Sequence, residues 1–442
     1  MTSIPSSWYN LLSDLPFAVP QELPAPEIPG RAPLGPQVPI QMIRQSSSRK
    51  REIPIPDVVG AAYESWRPTP LRRATRLEQA LGTSARIFYK YEGGNVSGSH
   101  KLNTAIPQAY YYKNAGVERL VTGTGAGQWG TAMSVAAQMF GMDSQVYMVG
   151  LSYQQKPYRR TMMKMFGASV SSSPSGDTEA GRLFRKENPD GRGNIALAIG
   201  ESLEDVGANP GSRFCIGSGE DYSLLHNTVI GNEAKEQLAD LGEWPDAIFA
   251  SIGAGSNFGG ITFPFLGEQL RGGRSSRYVA VEPASCPKLT KGVYAYDYTD
   301  YSGTTPLEKM YTLGSRFVTP SIHAGGLRYH ATSKLISALY DNGLLEAEAY
   351  RQTDVFTSGQ LFCRTEGILP APESAHAVHA AVEAARRATL EGTSPCLLIC
   401  VSGHGYFDLA AYADALDGQL EDGELTEEAF AAGRAGLPTV DV

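Results

Sequence analysis

At 442 residues, 42% hydrophobic and 19% charged, the chain has a globular composition and enough length for one large or two ordinary domains with ample core. No apolar run is long enough to span a bilayer, and the N-terminus (MTSIPSSWYNLLSDLP) lacks a basic region followed by an apolar one, so the expected location is cytoplasmic. The net charge is −8 and the largest basic cluster is SSSRKR at 46–51, which argues against nucleic acid as a partner.

Residues 1–58 are proline-rich and weakly periodic, and too apolar for an ideal disordered tail, so they are expected to form an extended arm wrapped on a surface. From about residue 59 to 416 short β-rich runs alternate with longer helical ones. RIFYKY precedes a helix that follows His100, RLVTG precedes GQWGTAMSVAAQMFG, and QVYMVG precedes YRRTMMKMFG. DAIFASIG, RYVAVEP and CLLICVSG continue the pattern, the last followed by FDLAAYADAL. Such alternation predicts an α/β fold with parallel sheets covered by helices, in which ligands collect where strand carboxyl ends meet helix N-termini. Residues 417–442 read as an acidic, solvated helical tail.

The five cysteines, at 215, 286, 363, 396 and 400, include no CxxC pair, and the seven histidines show no HExxH spacing. Cys396 and Cys400 flank an apolar run and read as core residues of a buried strand, so no metal is expected.

Several strand-to-helix loops are unusually small and polar: GGNVSGSHK, TGTGAGQWG, GAGSNFGG and SGHG. In the first, Lys101 stands among glycines, serines and an asparagine, a setting that solubility does not require. In the third, Ser251–Gly260, glycines before a helix allow close approach to exposed N–H groups, which suits a phosphate; a tight turn without ligand is the other reading. The loop is neither a P-loop, since GK[ST] is missing, nor a dinucleotide fingerprint, since Phe258 holds the third glycine position. An amine, a phosphate cradle and a hydroxyl in SGHG together suggest pyridoxal phosphate, which needs an imine-forming lysine, a phosphate site and a partner for its ring nitrogen.

From about residue 8 to 415 the chain resembles the tryptophan synthase β-subunit family, in its second (type 2) branch. The resemblance is carried in order by WYNLLSDLP, WRPTPL, YKYEGG, GSHKLNTA, TGAGQWG, SYQQKPYRR, HNTVIGNEAKEQL, GSNFGG, VAVEPASCP, GVYAYDY, HAGGLRYH, TEGILPAPESAHA and SGHGYFDLAAY. It implies the type II fold of pyridoxal phosphate enzymes, two interleaved α/β halves with the cofactor between them. It implies a lyase or synthase acting on serine or a related β-substituted amino acid through an external aldimine and an aminoacrylate. A second, nucleophilic substrate and a homodimer are also implied, whereas docking of an α-subunit is doubtful for this branch.

The same resemblance assigns roles. Lys101 matches the Schiff-base lysine and Glu373 a carboxylate near the cofactor ring. His100, Asn103, Gly253, Ala254, Gly255, Ser256, Asn257 and Ser402 match cofactor-binding positions; Ala254 replaces the usual middle glycine, and Ser402 matches the hydroxyl on the pyridine nitrogen. Thr124, Gly125, Ala126, Gly127 and Gln128 match the loop that holds the substrate carboxylate.

Two departures matter. The family has a glutamate before TGAGQ, which assists loss of the serine hydroxyl and takes the proton from indole; here the residue is Gly123. General acid–base assistance of that kind is worth about 10²–10⁴ in rate. The loss should leave room at Gly123 for a bulkier acceptor. In addition, Glu220, Asp221 and Tyr222 stand where the branch has an apolar-rich segment. Their carboxylates could partly replace the missing one, or EDYS could simply begin a helix. Three readings follow: β-replacement with a non-standard nucleophile or donor, an ordinary tryptophan synthase β-subunit with a relocated base, or a catalytically silent homologue.

Overall fold

The structure is a computed structural model that describes residues 3–24, 37–423 and 425–440. The larger of its two main sheets has six strands in the order Glu346–Tyr350, Arg277–Pro283, Ala247–Ser251, Cys396–Val401, Arg86–Tyr91 and Leu71–Arg73. All neighbours are parallel except the last pair. Its central strand, CLLICV, is buried along its whole length, as expected of a parallel strand covered on both faces. Among the covering elements is the helix Pro372–Glu391, whose inward alanines let it lie close to the sheet. Both Cys396 and Cys400 are buried and unpaired, as core residues should be.

The smaller sheet has four parallel strands in the order Ser169–Ser173, Asp143–Val149, Arg119–Thr124 and Ser212–Phe214. The helices Gln128–Met139 and Ile195–Ala208 pack against its central strands. All the strands and helices expected from RIFYKY to FDLAAYADAL are present, so the α/β reading holds.

The termini are more structured than expected. In the segment 1–58, Ser7–Tyr9 pairs antiparallel with Glu52–Pro54, and Ile40–Ser46 is a helix. Trp8 is fully buried with its ring 4.5 Å from that of His226, so the arm is anchored in the core rather than laid on a surface. Its residues 25–36 lie outside the described ones. In the tail the helix starts only at Glu427, and Phe430 packs among Cys286, Leu313 and Phe317, so this stretch is docked rather than solvated.

Strand ends bring the small polar loops together. Isolated bridges join Ser99 to Gly403 and Pro370 to His404, and the His100 amide donates to the Ser402 carbonyl at 2.8 Å. The lysine loop is thereby stitched to the loop that follows the central strand.

Candidate active site

One cavity receives residues from both sheets. Its walls include Lys101, the loop from Gly123 to Ala126 with Gln128, the turn Gly253–Asn257, Gly325–Tyr329, Glu373 and Ser402. Lys101 stands at the residue before the helix Leu102–Asn114 without capping it, and no hydrogen bond or ion pair ties its amine to another described residue. Burial lowers its pKa to about 8, against the opposing charge of Glu373.

The neighbouring His100 is held neutral, its pKa lowered to about 3 by burial and by the Lys101 charge. Its Nδ1 lies 3.3 Å from the Ser402 carbonyl, which can only accept, so Nδ1 carries the proton. Nε2 then accepts from the Ser256 hydroxyl at 3.3 Å, and the Ser218 hydroxyl donates to Ser256 at 3.1 Å. A string of hydroxyls thus runs from the lysine loop to the N-terminus of the helix Ser256–Leu270.

That N-terminus needs its glycines. A methyl group at Gly253 would stand 2.5 Å from the Gly326 carbonyl oxygen, and Gly255 adopts φ +126°, which L side chains avoid. Ala254 is tolerated between them, and its carbonyl, accepting from the Ser333 amide at 2.9 Å, ties the turn to the start of the helix Lys334–Asp341. Asn257 lines the cavity and donates to the Ser251 carbonyl at 3.2 Å.

Glu373 accepts from the Gly326 amide at 2.8 Å through Oε1, while its buried Oε2 has no partner among the described residues. Two arginines also reach this cavity, and the sequence reading assigned neither a role. Arg159 donates to Asp408 at 3.2 Å and Arg328 to Ser152 at 2.9 Å, and among the described residues Arg159 Nε and Nη1 and Arg328 Nε have no partner. Their signals were the KPYRR and HAGGLRYH motifs, which carried the resemblance but named no function. One part of the wall is apolar, formed by Ile195, Ile199, Ile216 and Trp129.

Not every expected residue faces the cavity. Asn103 is turned away; its amide accepts from Arg67 at 2.8 Å and donates to Glu92 at 3.0 Å within a buried ionic network. Gly127 likewise does not line it, its φ of +96° serving the turn against Arg159 and Met148. Glu220 and Asp221 are also elsewhere: they open the helix Asp221–Asn227, and Asp221 pairs with Lys334 at 3.5 Å. The expectation of free room at Gly123 is overturned. A methyl group there would meet the Ala198 carbonyl carbon at 2.8 Å and the Ile199 nitrogen at 2.9 Å, because the backbone of the helix Ile195–Ala208 already occupies the space.

Residues 63–401 match the model of the family described as pyridoxal-phosphate dependent enzyme. The chain belongs to this family. Its relatives include tryptophan synthase beta chain 2 of Aeropyrum pernix, 50% identical over 433 residues and covering 96% of each chain. The protein of the same name from Thermotoga maritima is 50% identical over 414 residues, covering 92% of this chain and 97% of that one. That of Methanosarcina mazei is 48% identical over 425 residues, covering 95% of each. A fungal L-serine ammonia-lyase from Rhizomucor miehei shares the fold, with a TM-score of 0.61 over 80% of this chain and 98% of that one at 17% identity.

The molecule is therefore a pyridoxal phosphate enzyme of fold type II with a tryptophan synthase beta-like chain. Its cavity fits the cofactor chemically. A buried amine depressed to about 8, a glycine turn that excludes side chains at a helix N-terminus, a neutral histidine and a buried hydroxyl at Ser402 meet at one place. Among the described residues no group of three or more His, Cys, Asp or Glu side chains could hold a metal ion, and no helix is long and apolar enough to cross a membrane.

Proposed function

We propose that this enzyme catalyses β-replacement on serine or a related β-substituted amino acid, with a donor bearing an anionic leaving group and a nucleophile that needs no enzymic base. Pyridoxal phosphate, when bound, supplies the electron sink that labilises the amino acid's Cα–H and Cβ bonds. The Lys101 amine carries the cofactor and moves the Cα proton. Gly253 to Asn257, with His100 beside them, hold the phosphate on a helix N-terminus. Thr124, Gly125, Ala126 and Gln128 receive the substrate carboxylate, and Ser402 faces the ring nitrogen. A neutral hydroxyl leaves that nitrogen a weak electron sink, which favours β-chemistry over transamination.

One observation carries the reading: at Gly123 the wall is glycine packed on helix backbone, and Glu373 is the one carboxylate among the described residues lining the cavity. Loss of hydroxide from serine would have no acid at that wall. Two arginines whose N–H groups lack partners among the described residues support instead the departure of an anion, such as the phosphate of O-phosphoserine, by charge-assisted hydrogen bonds.

The ordinary tryptophan synthase reaction is the second reading, favoured by the apolar wall of Ile195, Ile199, Ile216 and Trp129, which suits a flat aromatic acceptor. A silent homologue has no support from a cavity in which Lys101, His100, the glycine turn and Ser402 meet. Holoprotein incubated with L-serine, O-acetyl-L-serine or O-phospho-L-serine, each with indole, a thiol or an amine, separates the readings by product mass. Activated donors should outpace serine. Serine with indole turning over at about 1 per second or faster would overturn the proposal.

A further inference from the structure

A second hydroxyl stands beside that of Ser402. The hydroxyl of Ser374, in the first turn of the helix Pro372–Glu391 and fully buried, lies 2.8 Å from the Ser402 hydroxyl. It also lies 3.0 Å from the Gly403 amide nitrogen and 3.2 Å from the Gly403 carbonyl oxygen. Ser374 itself does not line the cavity, so any effect on the cofactor passes through Ser402.

The protons in this group can be counted. The Gly403 amide can only donate, and Ser374 accepts from it. The single Ser374 proton then has two destinations. If it goes to the Gly403 carbonyl, Ser402 donates to Ser374 and presents a lone pair to the cavity, which suits a protonated ring nitrogen. If it goes to Ser402, the Ser402 proton is free to point into the cavity and suits an unprotonated one. The contact to Ser402, at 2.8 Å, has the usual length of an O–H···O bond, and the contact to Gly403 O, at 3.2 Å, is long. We infer that Ser374 is a positioning residue that donates to Ser402 and turns the Ser402 proton toward the cofactor ring, so that the site donates to an unprotonated pyridine nitrogen. A hydroxyl that accepts one bond is also the stronger donor in the next. The inference rests on the reading that Ser402 faces the ring.

The test is the ¹⁵N chemical shift of ring-labelled pyridoxal phosphate in the holoprotein, compared among wild type, Ser374→Ala, Ser402→Ala and the double variant. Wild type should show an unprotonated, hydrogen-bonded nitrogen. Ser402→Ala should move the signal to the unbonded position, and Ser374→Ala should move it part of that way with cofactor binding weakened about 3- to 10-fold. The double variant should match Ser402→Ala alone, because Ser374 acts only through Ser402. An unmoved signal in Ser402→Ala would overturn the reading of Ser402 itself. A signal that moves in Ser402→Ala but not in Ser374→Ala, or shifts that add in the double variant, would overturn the role of Ser374 alone. If Ser374→Ala does not fold, a protonated ring nitrogen in the wild type is sufficient to overturn it.

Discussion

The Cα of Gly123 faces the backbone of Ala198 so closely that a methyl group on it would stand 2.8 Å from the Ala198 carbonyl carbon. The wall at this position is closed by the backbone of the helix Ile195–Ala208, so the glycine is a packing requirement. Gly123→Ala should destabilise the protein by about 1–3 kcal/mol, the usual cost of overpacking. Gly123→Glu should do so more severely and should not raise tryptophan formation from serine and indole. Denaturant melts of both variants check the first point and product assays the second. A stable Gly123→Glu enzyme with strong indole turnover would show that the helix yields.

In the proposed function the Lys101 amine meets the cofactor aldehyde as the free base, because a protonated amine has no lone pair to attack with. Burial lowers its pKa to about 8 and Glu373 opposes that shift, so the rate at which apoprotein captures pyridoxal phosphate should rise with pH and level off above about 8. Glu373→Gln removes the opposing charge and should move the midpoint to lower pH. Stopped-flow absorbance across pH measures both. Borohydride reduction should fix the cofactor on the peptide holding Lys101, and Lys101→Ala should lose it.

Arg159 and Arg328 bring to the cavity guanidinium N–H groups without a partner among the described residues. Replacing Arg328 by Gln should lower kcat/KM for O-phospho-L-serine by about 10- to 100-fold, the value of a charge-assisted hydrogen bond to an anion. The loss for O-acetyl-L-serine, whose leaving group is smaller and less charged, should be several times less. Equal losses for the two donors would place Arg328 in a role common to both.

Glu220 was a suspect for a relocated base, yet it opens a helix outside the cavity. Glu220→Gln and Asp221→Asn should therefore leave kcat within a few-fold of wild type. Burial raises the Glu220 carboxyl from 4.5 to about 7, against the charge of Lys334. Folding thus favours its protonated form, and the stability it contributes is full below the ordinary carboxylate range and lost as pH rises through about 7. Denaturation midpoints from pH 5 to 8 should fall less steeply in Glu220→Gln than in wild type.

Much of this was legible because it depends on neighbours along the chain. Alternating apolar runs such as CLLICV and RIFYKY announce parallel strands through burial on both faces, and glycines before FGGITFPF announce a helix N-terminus open to a phosphate through local backbone geometry. Lys101 stood out for the same reason, as an amine in a loop too small and polar for an ordinary surface residue. What lies across the cavity depends on distance in space. The segment Ile195–Ala208 carries no polar motif, yet its backbone decides what Gly123 can be. Asn103 follows Lys101 by two residues but faces Arg67 and Glu92, because the first turn of a helix points successive side chains in different directions. Arg159, Arg328 and Ser374 became visible only when folding removed water from their donors, which left Ser374 bonded within the protein and the two arginines with N–H groups that lack a partner among the described residues.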